Sequence, residues 1–144
     1  MTNNHETTAP LPPGVVHLTN LVPEADAHAI LAALDISDVN ATTEGVRVPL
    51  PNGPPPLALA AARSAFKKAA AADAALYGEL VEAPLLAQCV AYGIKGSMAP
   101  HVDASVTRSK PLVVLSFGLD CVFRAGAAKL RLRSGDAVAL DAAT

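Results

Sequence analysis

Apolar residues are distributed along this chain in two regimes, helical in the first half and strand-like in the second. Residues 14–18 (Gly-Val-Val-His-Leu) form a short β-rich run. Pro23 then opens a stretch in which Ala27, Ile30, Leu31 and Leu34 recur at helical spacing. Glu24 and Asp26 fall in its first turn, where the helix dipole favours acids. This helix is expected to end near 35–37. Residues 38–56 are polar and rich in Pro and Gly, a connecting loop with one short strand expected at 46–48. A second helix is expected over 57–76, where alanine gives high helix propensity. Leu59, Ala62, Phe66 and Ala69 make its apolar stripe, and Lys67 and Lys68 its solvated face.

From residue 85 the period shortens. Segments 85–94, 111–118, 120–124, 129–133 and 137–140 are β-branched or alternating, and Gly or Asp turns separate them. Helices followed by a run of short strands imply an α+β fold, a sandwich or jelly roll supported by helices. The 144 residues suffice for one domain, expected over 13–144 behind a polar, Pro-rich tail at 1–12 expected to be disordered.

Composition narrows the partners. Just over half the residues are apolar, but many are alanine and there is no Trp, so the core should be lean and rest on Leu, Val and Ile. No apolar run approaches the roughly 18 residues of a membrane helix, and no membrane partner is expected. The start has neither a basic region nor an apolar one of the kind a secretory signal needs. Cys89 and Cys121 lack CxxC spacing and read as reduced, buried core residues of an intracellular protein, cytoplasmic or nuclear. The formal charge of −2 divides unevenly: residues 1–85 hold four Lys/Arg and nine Asp/Glu, and residues 86–144 hold seven and four. A weakly basic second half permits a nucleic-acid partner without arguing for one.

The candidate chemistry centres on His101-Val102-Asp103. In an extended segment, residues two apart share a face, so this imidazole and carboxylate could bind one metal at adjacent positions. A later third ligand would complete the two-His-one-carboxylate arrangement of non-haem Fe(II) oxygenases. By itself the pair reads as a solvated turn. Its surroundings matter more. Tyr92 precedes it at the end of a strand, with Gly93 and Gly96 in the turn between. Pro-Leu-Val-Val-Leu-Ser-Phe-Gly follows at 111–118, then Val122-Phe123-Arg124, then Ser134-Gly135-Asp136 leading to Ala-Val-Ala-Leu at 137–140.

That order resembles the AlkB family of dioxygenases. Its members carry an Asn-x-Tyr strand, a glycine turn, HxD, a "P-I/L-V-x-L-S-x-G" strand, a short "F" strand and a "GD-V-V" strand. The likeness covers roughly residues 13–141 and is specific over 86–141. It implies a double-stranded β-helix (jelly-roll) core that binds Fe(II) and the co-substrate 2-oxoglutarate. His101 and Asp103 match the first two iron ligands, and Tyr92 the tyrosine that helps hold 2-oxoglutarate. The implied activity is oxidative dealkylation of nucleic acid bases, in which the co-substrate leaves as succinate and a hydroxylated N-methyl group as formaldehyde. The target base would have to leave its stack.

Two departures set further expectations. Val90 stands where the family has the Asn of Asn-x-Tyr, and no His follows Asp103 and no Arg follows Arg133. The family's distal iron-ligating His and its 2-oxoglutarate-binding arginines therefore have no match. As written, the chain is expected to be an incomplete core with its final strands missing, an open sheet edge, low stability and weak or no catalysis. The alternatives are an inactive module of the same fold with a binding or structural role, and an oxygenase acting on protein. Residues 40–56 hold no aromatic for stacking a flipped base. Lys129, Arg131 and Arg133 alternate with Leu130 and Leu132, read as an ordinary wet strand rather than a phosphate-tracking stripe. Arg108 and Lys110 read as a solvated loop, Ser116 as a polar strand position, His17 and His28 as partly buried or surface histidines. Asp136 reads as a turn residue bonding nearby backbone N–H groups.

Overall fold

A computed structural model describes residues 9–97 and 110–141 of the chain. The fold is α+β, with small antiparallel sheets and helices on one side. Strand β1 (Val16–Leu18) leads to helix α1 (Glu24–Ala32), strand β2 (Val46–Val48) and helix α2 (Pro56–Ala72). A short helix α3 (Ala74–Tyr77) and a 3-10 turn (Gly78–Val81) follow. The rest is strand: β3 (Cys89–Ala91), β4 (Pro111–Leu115), β5 (Cys121–Ala125), β6 (Ala128–Leu132) and β7 (Ala137–Asp141).

Local chemistry accounts for these boundaries. Pro23 and Pro55 precede the two long helices, and Pro56 sits at a first-turn position, where its missing N–H costs no hydrogen bond. The helix expected over 57–76 divides at Asp73. That residue leaves helical geometry, and its carboxylate accepts the Leu76 N–H at 3.1 Å to cap α3. The strand expected over 85–94 is ordered as strand only at 89–91, because β2 is three residues long and pairs with those three. Within α2 the buried positions are Ala61, Ala65, Phe66 and Ala69, whereas Leu59 is exposed. A helix so rich in alanine offers little contrast between faces, so the larger residues on the neighbouring strands decide which side is covered.

The central sheet has the order β1-β7-β4. Ala137, Val138 and Ala139 of β7 have no solvent exposure, as befits its middle strand. Its two faces point into different layers. Ala139 packs with Phe66, Ala69 and Tyr77, with Val16 and Val113 beside it, so this face carries α2 and α3. Val138 packs with Val15, Ala125, Leu130 and Leu132, with Leu140 and Phe123 beside it, so the other face carries the β5–β6 hairpin. Helix α1 lies on the helical side, where Ile30 and Ala61 close over Leu115 and Phe117. Full burial of a residue such as Ile30 or Leu132 stabilises the fold by about 2 kcal/mol. The hairpin turns through two residues, Gly126 and Ala127. Gly126 at φ +59° supplies the left-handed first position that such a turn requires.

Asp136 joins three segments at the start of β7. Its carboxylate is almost fully buried; Oδ1 accepts the Asn20 N–H at 2.8 Å and Oδ2 the Arg133 N–H at 2.8 Å. His17 Nε2 lies 3.9 Å from Oδ2 and is buried without a hydrogen-bond partner. The turn role read from sequence is what the side chain performs, and it reaches across to the loop after β1 as well. Among the described residues, β4 pairs only with β7, and β5 only with β6. No helix of the described residues is long and apolar enough to cross a membrane.

Candidate functional site

Tyr92 stands immediately after β3, and its position follows from how β2 and β3 pair. Val46 lies opposite Ala91, Arg47 opposite Val90 and Val48 opposite Cys89. Alternation sends Val46, Val48, Cys89 and Ala91 to one face, where Val48 is buried. Gly45, Arg47, Val90 and Tyr92 belong to the other. Beyond Val46 the register slips. The Gly93 N–H donates to the Thr43 carbonyl at 2.8 Å, and the Lys95 N–H to the Ala41 carbonyl at 2.7 Å. Between the Val46–Ala91 pair and the Thr43–Gly93 bond, the first strand advances one residue more than the second, a β-bulge.

The tyrosine ring fills the space beside this bulge. A Cβ added at Gly45 would meet Tyr92 Cε1 at 3.0 Å, so the ring lies over a position where a side chain has been omitted. The two glycines that follow are needed for closeness. A Cβ at Gly93 would fall 1.9 Å from the Asn40 carbonyl oxygen, and one at Gly96 1.9 Å from that of Thr43. The 40–44 segment opposing them is a built turn. Asn40 Oδ1 accepts the Thr42 N–H at 3.0 Å, and Thr43 Oγ1 accepts the Asn40 N–H at 2.9 Å. Tyr92 thus stands on a backbone platform, with its side chain partly exposed. Partial burial raises the phenol above its ordinary pKa, so at neutral pH it is protonated and can donate a hydrogen bond.

His101 and Asp103 lie outside the described residues. The chain is described as far as Ser97, five residues past Tyr92, and again from Lys110. The Lys110 N–H donates to Asp141 Oδ1 at 2.9 Å, which fixes the start of β4 to the end of β7 through a buried carboxylate. Among the described residues, no three His, Cys, Asp or Glu side chains group so as to hold a metal ion.

Other sequence candidates resolve individually. Cys89 is half-buried, and burial raises its thiol pKa, which disfavours the reactive thiolate. Cys121 is exposed, not buried as expected: as the first residue of β5 it lies at the open end of the hairpin, with its Sγ 3.7 Å from Ser116 Oγ. Lys129 and Arg131 do occupy one face of β6, with Leu130 and Leu132 on the other. The pairing adds Arg124 from β5, directly opposite Lys129. Arg131 is held by Asp120, with Nη2 and Nε 2.6 and 3.1 Å from Oδ2. His28 is exposed, and His17 is partly buried with its Nε2 3.9 Å from Asp136 Oδ2.

The residue that sequence reading passed over is Arg47. It shares the exposed face of Tyr92 and stands opposite Val90. The signal was present in Val-Arg-Val, an alternation that puts one charge outward between two inward valines. Comparison with family models, with curated proteins and with solved structures finds no match for this chain.

Proposed function

We propose that this chain is an AlkB-like dioxygenase domain that uses Fe(II) and 2-oxoglutarate to dealkylate nucleic acid bases oxidatively, built on a double-stranded β-helix (jelly-roll) core. The observation that carries the reading is the placement of Tyr92. A protonated phenol is set on a partly exposed face by a bulge and three glycines, just ahead of the segment that bears His101 and Asp103. Antiparallel pairing of β4 with β7 and of β5 with β6, in two layers around Val138, supports the jelly-roll topology.

The donor types suit the groups. An imidazole and a carboxylate two residues apart are ligands that Fe(II) accepts, and a phenol donates to a carboxylate or keto oxygen. In this reading His101 and Asp103 hold the metal, and Tyr92 orients 2-oxoglutarate. The metal with its co-substrate supplies the oxidation of a C–H bond, and the chain supplies placement. The loop facing Tyr92 favours a second reading of the substrate. Residues 40–44 form a tight polar turn without an aromatic platform, which suits a peptide side chain better than a stacked base.

Succinate formation from 2-oxoglutarate under Fe(II) tests the proposal, with a methylated oligonucleotide and a peptide mixture as alternative substrates. Turnover that His101→Ala abolishes supports it, and formaldehyde release with the oligonucleotide alone identifies the base substrate. Succinate no greater than that of the His101→Ala protein leaves a binding or structural module of this fold.

A further inference from the structure

We propose that this chain self-associates through the outer edge of β5, two copies meeting as antiparallel neighbours about Val122 so that their hairpins join into one four-stranded sheet. Among the described residues β5 pairs only with β6, and no backbone group outside the hairpin bonds to residues 120–124. The side chains along this edge are open as well: Leu119, Asp120, Cys121, Val122 and Arg124 are all exposed. Hairpin geometry decides which backbone groups point outward. Where a turn has two residues, the pair that closes it exchanges both backbone bonds, and bonded pairs then alternate with unbonded ones. Ala125 and Ala128 close this turn, so Phe123 and Cys121 bond to β6, and Val122 and Arg124 direct their N–H and C=O groups to the open edge.

That alternation admits Val122 against Val122 of a second copy, or a slide of two residues either way. Charge selects among the three. With Val122 central, Asp120 of each copy stands opposite Arg124 of the other. A slide in either direction sets each of these charges against Val122 or a glycine, Gly118 or Gly126. Asp120 is already on the Val122 face, since its carboxylate meets Arg131, the residue opposite Val122, at 2.6 Å. A cleft of about 200 Å³ lined by Asp120, Cys121, Val122 and Arg131 lies where the incoming Arg124 side chain would enter. Arg124 faces Lys129 across its own hairpin, a like-charge pair that the carboxylate of the second copy offsets. The same register covers exposed Leu119 with Ala125 of the other copy. The hairpin's other edge refuses such pairing, because β6 carries Lys129 and Arg131 on its exposed face and a second β6 would set cation against cation.

An edge this short buries well under the roughly 1,600 Å² of a standard interface, so the association should be weak and concentration-dependent. Sedimentation equilibrium of the full chain over roughly 0.01–1 mM at low salt tests it, and the mean mass should climb from one chain toward two. Arg124→Glu and Asp120→Lys should each raise the dissociation constant at least tenfold, since either change gives both cross-copy pairs like charge. Mixed in equal amounts, the two variants should associate again, because every cross-copy pair is then opposite in sign. Val122→Pro removes an N–H that β6 does not use and should abolish association, with circular dichroism checking that each variant is folded. A single-chain mass across the whole range overturns the proposal. Association that Arg124→Glu and Val122→Pro both leave unchanged also overturns it, placing the contact on another surface. Folded variants that lose association and do not regain it on mixing overturn the Asp120–Arg124 register.

Discussion

Replacing Asp136 by alanine removes the only acceptor described for two backbone donors at once. The Asn20 and Arg133 N–H groups each lie 2.8 Å from its carboxylate oxygens, and the side chain is almost fully buried. A hydrogen bond to a charged acceptor contributes about 1.5–3 kcal/mol. Against the pair stands the desolvation of the carboxylate itself, which alanine no longer incurs. The balance is a loss of about 2–4 kcal/mol, a large share of the stability of a domain this size. Asp136→Asn keeps one carbonyl acceptor and should lose roughly half as much. Urea unfolding followed by circular dichroism measures both, with the difference read from the midpoint at constant slope. Hydrogen exchange adds location, since the Asn20 and Arg133 amides should lose protection before those of β7. An Asp136→Ala protein within about 0.5 kcal/mol of the parent would refute the reasoning.

Gly93→Ala should dislodge the Tyr92 platform, since its methyl would fall 1.9 Å from the Asn40 carbonyl; loss of protection in the 41–46 and 89–95 amides with the central sheet still folded, checked by amide exchange, is the expected result, and any 2-oxoglutarate binding of the proposed kind should be lost with it. Tyr77 is fully buried, donates to the Gly14 carbonyl, and has its pKa pushed up to about 12 by burial first and then by Asp73 and Asp141. Its folded pKa exceeds the unfolded value near 10, so stability should fall as pH rises from about 10 to 12, by about 2 kcal/mol, and unfolding midpoints across that range should be flatter in Tyr77→Phe. Lys129→Glu replaces a like-charge cross-strand pair with an opposite one facing Arg124, and should raise stability by about 0.5 kcal/mol in thermal unfolding at low salt, with the gain fading as salt is added.

The broad plan was readable from hydrophobic period alone. Residues 111–115 and 137–141 form strands because Val, Leu and Ala there can be covered on both faces, and the helices begin where Pro23 and Pro55 set them. Long-range register was not readable. Nothing local to Cys89-Val-Ala says that only three residues will pair, since that limit belongs to β2 far earlier in the chain. The α2 stripe held at Phe66 and Ala69 but not at Leu59 and Ala62, because one alanine buries much like another and the choice of face belongs to Phe66 and the sheet beneath it. For the candidate site, Tyr92 was found through its place in a motif. Arg47 was missed because it shares no motif with Tyr92 and comes to the same face only through cross-strand pairing. His101 and Asp103 are known from sequence alone.

The alanines at the heart of the molecule carry a cost out of proportion to their size. Ala69 of α2 and Ala139 of β7 are wholly enclosed where helix meets sheet. Between the larger Phe66 and Tyr77, these small side chains leave room for the helix to close onto the strand, with no open space around them. A single added methylene at either of the two would act as a wedge between a seventeen-residue helix and the strand that organises both layers. The least conspicuous letters of this sequence are therefore the ones it can least afford to change.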